Sequence, residues 1–523
     1  MFNKLGKNWH YLLLTPLLFT ALETAFIKHN GISIFSSEAL FTYLILIFLG
    51  LIPGLLMVFG GVFFRVIIAS ILLILLILSQ INTLPVLPWG FKYRYVLPLF
   101  VISTSALFYV IRSHLGKLFF VIFGVFWVGA FFTAKTPIVN LQQIATIKPV
   151  KQELPPYIEI ILDEHIGIDG LVRIENSDRK LSKKLINDYI GKGFRVYGQA
   201  YSRDYQTLSS FASFLNFYPL KQVKSYIGKK QGINSIITNK LFEEITKSGY
   251  QINVLQSTFL NLCVKNDNIN LKTCRTYNHA APVPYPYTKL TEKSAVIINN
   301  VFSFIPQNDF FLKYKNKIWS MFKLPTSNTQ GLVEASTATY VISFPELMDL
   351  AKNVDQGNAY FVHLLMPHYP YVFDENCQYI GNRGKKVSTY LKQVQCTHKM
   401  MDEFLRVLAK NPTAKNSIIV IHGDHGTRMP KPRDSMNYSF TNENIIKTYN
   451  TFFVVKAPSY NAGYDQNQYP LDYLLKTIVL GKKLEPYNPA KQFVYLRSDS
   501  LTDKPFDLGK ELMPIVSQDK PTV

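Results

Sequence analysis

The stretch Ser417-Ile-Ile-Val-Ile-His-Gly-Asp-His-Gly426 joins a short apolar run directly to an acid and a histidine. Residues 157–162 (YIEIIL) form a second such run, which is followed by Asp163-Glu164-His165. A third run, at 359–365, is followed by Met366-Pro367-His368. Polar residues at the carboxyl ends of strands are typical of an open α/β sheet, where ligand sites form along that edge.

Helical patterns separate these three runs. They cover residues 345–352, with Pro345 predicted in the first turn, and residues 392–408. Strands that alternate with helices predict a mostly parallel sheet with helices on both faces.

The region before residue 135 is strongly apolar and predicts a transmembrane helical domain at 1–135. A bilayer core requires about 20 apolar residues per helix. Five segments approach this length, at 11–27, 40–59, 62–78, 96–111 and 118–132. Only Gly60-Gly61 and Arg65 separate the second segment from the third, but a single helix of about 40 residues is too long for one span. A cleaved signal peptide is the alternative for the first segment, against which the further spans argue.

Basic residues near the ends of these segments predict the orientation of the chain. Lys4, Lys7, Arg65, Arg112 and Lys117 all face the cytoplasm if the N-terminus lies inside. With five spans, everything after residue 135 then lies outside a cytoplasmic (inner) membrane, in a periplasmic or extracellular compartment.

The remainder predicts a linker at 136–155 and one catalytic domain at 156–523. Residues 220–340 have few strand signals, so we expect a helical or loop insertion there. Within it, residues 310–323 (FFLKYKNKIWSMFK) mix aromatics with lysines, which fits a surface helix or a segment lying on the membrane.

Charge and cysteine content agree with an envelope location. The formal net charge is +21, without a basic motif interleaved with stacking aromatics, so we expect no nucleic-acid partner. Attraction to anionic lipid or glycan is the functional interpretation, and a basic solvated surface is the alternative. The four cysteines form two local pairs, Cys263 with Cys274 and Cys377 with Cys396, which an oxidising compartment would join as disulfides and a reducing one would leave as thiols.

The acids and histidines at the strand ends predict a metal site. Asp163, Glu164, Asp424 and His425 together supply oxygen and nitrogen ligands that suit one Zn²⁺ or Mn²⁺, with Mg²⁺ or Ca²⁺ as alternatives. Each pair alone could equally be a helix N-cap.

A hydroxyl nucleophile is expected where residues 201–215 (YSRDYQTLSSFASFL) become helical. Thr207 lies at the start of that helix, where a metal and the helix N-terminus would both favour attack on an anion. Ser209 and Ser210 are the competing candidates, and Thr207 could be a simple N-cap.

Histidines flank the third strand. His368 and His363 are candidates for binding a phosphoryl oxygen or protonating a leaving group. His165 and His422 are expected to orient ligands.

The motifs ILDEH, YQTLSSFASFL, FVHLLMPHYPY and VIHGDHG together resemble the alkaline phosphatase/sulfatase superfamily, especially its membrane-anchored phosphoethanolamine and phosphoglycerol transferases. The resemblance implies an N-terminal bundle of about five helices and an outer α/β domain. It implies metal ligation by Asp163 or Glu164, Asp424, His425 and Thr207, with Thr207 as nucleophile and His368, and less directly His363, on the substrate side. Arg428 follows at a position where we expect a substrate contact.

The function implied is transfer of a phospholipid head-group phosphate to an envelope glycolipid or glycan through a phospho-threonine. Hydrolysis of envelope substrates by the same chemistry, and a catalytically silent assembly protein, are the alternatives. The sulfatase motif Cys-x-Pro-Ser-Arg is absent, and no histidine follows His425.

Overall fold

The computed structural model describes residues 2–30, 32–80, 93–133, 139–144, 149–175, 179–217, 226–230, 233–279, 289–301, 337, 339–381, 383–429, 442–488, 492–497 and 503–507. The chain divides into two compact units. One comprises residues 1–137 with 282–332, and the other comprises 138–281 with 333–523.

The first unit contains a helix at each of the five predicted apolar segments. These are α1 (Phe2–His29), α2 (Ser37–Phe59), α3 (Gly61–Gln80), α4 (Tyr93–Val110) and α5 (Leu115–Ala130). Gly61 has a φ of 80°, so the predicted break between the second and third segments is present.

The number of spans differs from the prediction of five. Among the described residues, α1 and α2 are long and apolar enough to cross a membrane. The apolar part of α3 is shorter, and α4 and α5 form a pair bent by 117° that would count as one further span. The described part of the chain thus has two or three candidate spans, and the side of the membrane on which the other unit lies remains a prediction.

Helices α1 and α2 approach each other closely because glycines line their contact. A Cβ atom on Gly50 would lie 2.7 Å from the backbone nitrogen of Pro16. Small residues of this kind allow helix backbones to pack tightly in membranes. A buried hydrogen bond from Thr42 to Glu23 adds a polar link between the two helices.

A sixth helix, α10 (Leu290–Val301), belongs to this unit and not to the catalytic domain. Its Ile297 and Val301 join the buried cluster formed by Leu14, Leu18 and their neighbours on α1. Part of the predicted insertion at 220–340 therefore packs with the N-terminal helices. Residues 310–323 lie outside the described residues.

The second unit is built on a nine-stranded sheet in the order β1-β8-β6-β9-β2-β10-β11-β3-β12. The strands are β1 (Val139–Gln143), β2 (Tyr157–Leu162), β3 (Arg195–Tyr201), β6 (Gln251–Ser257), β8 (Leu271–Tyr277), β9 (Asn358–Leu364), β10 (Ile418–Gly423), β11 (Phe453–Lys456) and β12 (Gly463–Pro470). A small sheet contains β4 (Ile227–Lys230), β5 (Ile233–Ile236) and β7 (Leu260–Asn261), and β13 (Phe493–Arg497) pairs with β14 (Asp503–Asp507).

Four central strands, β6, β9, β2 and β10, run parallel. All six residues of β2 are buried, as expected for a strand covered on both faces. Strand β11 is antiparallel to both of its neighbours and β1 is antiparallel to β8. The predicted mostly parallel α/β sheet is confirmed, with its three predicted strands within one residue of their expected bounds.

Helices of this unit connect the strands. They are α6 (Ile168–Ile174), α7 (Lys180–Gly191), α8 (Thr207–Phe214), α9 (Lys240–Ser248), α11 (Tyr340–Lys352), α12 (Val387–Leu408), α13 (Asn442–Tyr449) and α14 (Leu471–Val479). Helix α11 begins five residues before Pro345, which lies inside the helix and not in its first turn as predicted.

Two predicted boundaries differ from the structure. Residues 139–143 of the predicted linker form β1, whose sequence VNLQQ is mostly exposed at the sheet edge and carries no apolar signal. Residues 251–277 of the predicted insertion supply β6 and β8 of the main sheet. The buried polar residues of β6 form side-chain hydrogen bonds, for example the one that Thr273 donates to Asn253. These polar residues interrupt the apolar pattern by which a buried strand is recognised in a sequence.

Both predicted disulfides are present. Cys263 is bonded to Cys274 and Cys377 to Cys396, and none of the four cysteines is free.

Candidate active site

The parallel strands bring the predicted acids together at one edge of the sheet. Leu162 at the end of β2 is paired with Gly423 at the end of β10, so Asp163 and Asp424 follow at the same level. One ligand atom each from Asp163, Asp424 and His425 lies within 4.8 Å of the others, and all three residues are buried. This group is the candidate metal site.

Backbone contacts fix the orientation of two of these groups. Asp424 Oδ1 accepts hydrogen bonds from the backbone nitrogens of Glu164 (2.9 Å) and His425 (2.8 Å). His425 Nδ1 lies 2.7 Å from the Gly426 carbonyl oxygen, to which it donates, and this leaves the Nε2 lone pair toward the acids. Asp424 Oδ2 is buried without a hydrogen-bond partner among the described residues. An orphaned carboxylate oxygen beside a second carboxylate and a neutral imidazole fits a divalent cation.

Electrostatics at the site point the same way. Burial and, to a smaller extent, the nearby Asp163 carboxylate raise the pKa of Asp424 to about 7. Burial opposes ionisation of Asp163 too, but His368, His363 and His425 hold its pKa below the usual value. Burial and the Arg428 guanidinium lower the pKa of His425 to about 4, so its imidazole is neutral at pH 7. Ionising both of these buried, neighbouring carboxylates is therefore unfavourable unless a cation compensates their charge.

Thr207 meets the same group from the first position of α8. Its Oγ1 lies 3.4 Å from Asp163 Oδ1 and 3.4 Å from His425 Nε2. Gln206 precedes it with an extended backbone and makes no side-chain cap, and Thr207 is 3% exposed. The hydroxyl is thus aimed at the acids instead of capping the helix.

The competing serines have different surroundings. Ser210 Oγ donates to the Asp424 carbonyl oxygen at 2.5 Å and lies 2.7 Å from Ser202 Oγ. This hydroxyl ties α8 to the loop after β10 and so supports the site. Ser209 is buried on the same helix.

Glu164 lies beside Asp163 but outside the group of three. Its Oε1 accepts from the Arg428 backbone nitrogen at 2.9 Å, and its Oε2 accepts from the Tyr369 backbone nitrogen at 3.3 Å. Burial opposes its ionisation, yet His368, Arg428 and Lys385 lower its pKa. The two adjacent acids, which sequence could not distinguish, therefore have separate partners.

The two histidines of the third strand also differ. His363 is buried, with its Nε2 3.5 Å from Asp163 Oδ2 and its ring against Phe211. This position suits a group that orients Asp163. The side chain of His368 is 25% exposed and its Nε2 lies 3.8 Å from Glu164 Oε2. His368 can therefore reach a substrate more directly.

Arg428 lies close to the nucleophile. Its Nη2 is 3.0 Å from His425 Nε2 and 3.4 Å from Thr207 Oγ1, and its Nε is buried without a hydrogen-bond partner among the described residues. A guanidinium at this position can bind an anion that Thr207 attacks.

His165 and His422, which were expected to orient ligands, make buried contacts with other side chains. His165 Nε2 lies 2.9 Å from His398 Nε2, whose Nδ1 lies 3.0 Å from the Tyr189 hydroxyl. His422 Nε2 lies 3.2 Å from Glu159 Oε1. These partners could not be predicted from the sequence, because His398 and Tyr189 lie on helices that are distant in the chain.

Gln393 of α12 is a further supporting residue that sequence reasoning missed. Its Nε2 donates to the carbonyl oxygens of Pro367 and His368, at 3.0 and 2.9 Å, and its Oε1 accepts from the Val372 backbone nitrogen. The side chain thereby holds the loop that carries His368. Nothing in the sequence distinguishes Gln393 from other polar residues of an amphipathic helix, so this role could not be predicted.

Most of the candidate site lies within a region that is similar to a known protein family. A model of the Sulfatase family matches residues 196–479, which is more than half of the chain and includes Thr207, Asp424 and His425. No curated protein sequence matches.

Solved structures similar to this chain include three proteins at 13% identity. The lipoteichoic acid synthase LtaP from Listeria monocytogenes covers 67% of this chain and 76% of its own length, with a TM-score of 0.36. The C-terminal periplasmic domain of EcEptC from Escherichia coli, in complex with Zn, covers 68% and 89%, with a TM-score of 0.36. A protein in the alkaline phosphatase superfamily from Vibrio parahaemolyticus covers 67% and 75%, with a TM-score of 0.39.

The family assignment confirms the resemblance found in the sequence motifs. Enzymes of the matching family are hydrolases or transferases that use a divalent metal, and the apolar N-terminal helices indicate membrane anchoring. The chain belongs to the Sulfatase family.

Proposed function

We propose that this protein is a membrane-bound, metal-dependent transferase. It would move a phospholipid head-group phosphate, phosphoethanolamine or phosphoglycerol, to an envelope glycolipid or glycan. The observation that carries the proposal is the Thr207 hydroxyl at 3.4 Å from both Asp163 and His425. A threonine cannot become formylglycine, so an ordinary sulfatase nucleophile is not available at this position.

Asp163, Asp424 and His425 would hold one divalent cation, with Thr207 as the fourth ligand. The mixed oxygen and nitrogen donor set favours Zn²⁺ or Mn²⁺ over Mg²⁺ or Ca²⁺. When bound, such an ion lowers the pKa of a coordinated hydroxyl and neutralises charge on a phosphoryl group.

The proposed reaction has two steps, each of which one of the chain's own residues carries or assists. Thr207 Oγ1 forms a bond to the head-group phosphorus while the bond from phosphorus to the diacylglycerol oxygen breaks. The proton lost by Thr207 is balanced by the one that the diacylglycerol oxygen gains, for which His368 is the candidate donor. An acceptor hydroxyl then attacks phosphorus, releases Thr207 and returns a proton to it. Arg428 binds the phosphoryl oxygens during both steps.

The location follows from the same proposal. A phospholipid donor lies at the bilayer surface, and the N-terminal helices keep the enzyme in that membrane. The two disulfides support an oxidising compartment, so we place the catalytic unit in the periplasm or outside the cell, at the cytoplasmic membrane.

Hydrolysis is the second candidate, favoured by the description of the matching family as Sulfatase. The first step would be unchanged and water would replace the acceptor in the second. A catalytically silent assembly protein is the third, and the convergence of three buried ligands and a hydroxyl argues against it.

The test uses the purified full chain with fluorescent-head-group phosphatidylethanolamine and phosphatidylglycerol, with and without chelator. We expect chelator-sensitive diacylglycerol release and a head-group phosphate adduct on Thr207, detected by intact mass. Thr207→Ala should lose both, while Ser209→Ala, on the same helix, should retain both.

The outcomes separate the candidates. Release of free head group with no labelled acceptor in an envelope extract would favour the hydrolase. Turnover by Thr207→Ala equal to that of the wild type would refute Thr207 as nucleophile. If neither lipid gives an adduct or turnover, the proposal that the donor is a phospholipid is refuted.

A further inference from the structure

We propose that Glu164 is a positioning residue for the anion-binding side of the site and not a metal ligand. It would hold the loops that carry Arg428 and His368 in place. The inference rests on the proposed function only in that these two residues bind a phosphoryl group.

The contacts of the Glu164 carboxylate carry this inference. Oε1 accepts from the Arg428 backbone nitrogen (2.9 Å) and the Tyr371 hydroxyl (3.4 Å). Oε2 accepts from the Tyr369 backbone nitrogen (3.3 Å) and lies 3.8 Å from His368 Nε2. A carboxylate has about four acceptor positions, and three hydrogen bonds occupy most of them, with the His368 imidazole near the remaining side.

The backbone of Glu164 links two further elements. Its nitrogen donates to Asp424 Oδ1 at 2.9 Å, and its oxygen accepts from the Tyr390 hydroxyl of α12 at 2.9 Å. The φ angle of Glu164 is 63°, in the left-handed region that residues other than glycine rarely adopt. This conformation allows the two adjacent acids to contact different partners. Asp163 lies with the other candidate metal ligands, and Glu164 accepts hydrogen bonds from the loops that carry Arg428 and His368.

A fifth ligand is also not required. Asp163, Asp424, His425 and Thr207 would already supply four donors to a divalent cation. Because both Glu164 oxygens accept backbone hydrogen bonds, moving one of them to the metal would weaken a partly buried hydrogen bond, which is unfavourable.

The experiment compares wild type, Glu164→Gln and Asp163→Asn in the purified full chain. Bound metal is measured by elemental analysis, amide hydrogen exchange at Tyr369 and Arg428 by mass spectrometry, and binding of inorganic phosphate by calorimetry. Glu164→Gln keeps the size of the side chain but removes its charge. It also removes one of the two oxygens that accept a hydrogen bond from a backbone N–H group.

We expect Glu164→Gln to retain wild-type metal content, whereas Asp163→Asn loses the metal. Exchange at Tyr369 or Arg428 should accelerate, and phosphate binding should weaken roughly 10- to 100-fold, as for a lost charge-assisted hydrogen bond. If Glu164 acts through His368, adding His368→Asn to Glu164→Gln should weaken phosphate binding by less than the product of the two single effects.

Tyr371→Phe is a second variant in case Glu164→Gln folds poorly. It removes one donor to Oε1, so phosphate binding should weaken less and the metal should remain. Loss of metal by Glu164→Gln to the same extent as by Asp163→Asn would overturn the inference. Unchanged exchange and phosphate affinity would overturn it too. A wild type that binds metal and phosphate but never forms the Thr207 adduct would refute the proposed function alone.

Discussion

Replacing Asp424 with asparagine should stabilise the metal-free protein above neutral pH. Asp424 Oδ1 accepts two backbone hydrogen bonds, which an asparagine oxygen can also accept. Its Oδ2 is buried without a partner among the described residues, so the substitution breaks no hydrogen bond there. The main change is the removal of a negative charge from the neighbourhood of Asp163.

The size of the effect follows from the pKa of Asp424. Burial and Asp163 raise this pKa from 3.8 to about 7, so the folded protein binds an extra proton between these values. The metal-free wild type must therefore lose stability as the pH rises from about 4 to about 7, and the loss is complete above 7. The difference between the two pKa values corresponds to about 4 kcal/mol at most. Asp424→Asn has no such proton to lose.

Thermal unfolding of the full chain in detergent with chelator, at pH 5 and pH 8, measures this difference. We expect Asp424→Asn to melt several degrees above the wild type at pH 8 and close to it at pH 5. With saturating Zn²⁺ or Mn²⁺ the order should reverse, because only the wild type gains binding energy from the metal. Asp402→Asn, which changes an exposed acid on α12, should show neither effect. A variant that melts below the metal-free wild type at pH 8 would refute the reasoning.

Two further predictions concern the scaffold. Asp472→Asn should lower the free energy of unfolding by about 3–5 kcal/mol, because it removes the carboxylate that pairs with the buried Arg203 guanidinium at 2.9 Å. Urea unfolding measures this change, and a loss below about 1 kcal/mol would contradict the prediction. Replacing Cys377 and Cys396 together by serine should lower the free energy of unfolding by about 3 kcal/mol, because their disulfide closes a loop with a sequence separation of 19. A melting temperature equal to that of the oxidised wild type would contradict this prediction.

The fold was predictable where burial makes the sequence pattern simple. Residues 157–162 and 418–423 are apolar runs because their strands are covered on both faces. Strand β6 could not be recognised, because Asn253 and Gln256 are buried within it by pairing with neighbouring side chains. Strand β1 lies at the sheet edge with most residues exposed, so no apolar pattern is required of it.

The site was predictable in its residue types but not in their division of labour. Asp424 and His425 follow a strand end, which sequence reveals. Whether Asp163 or Glu164 joins them depends on the left-handed backbone at Glu164 and on two loops that are distant in sequence. Likewise, His165 was expected to orient a ligand, but its ring pairs with His398, which lies 233 residues away.

The contacts that position the acids are separate from the Thr207 hydroxyl. The acids are set by the pairing of β2 with β10, and α8 is held to the same edge by the hydrogen bond from Ser210 to the Asp424 carbonyl oxygen. None of these contacts involves the Thr207 hydroxyl, so the residue at the start of α8 can change without loss of the fold. Substitution of Thr207 therefore tests its proposed role as nucleophile without disturbing the contacts that position Asp163, Asp424 and His425.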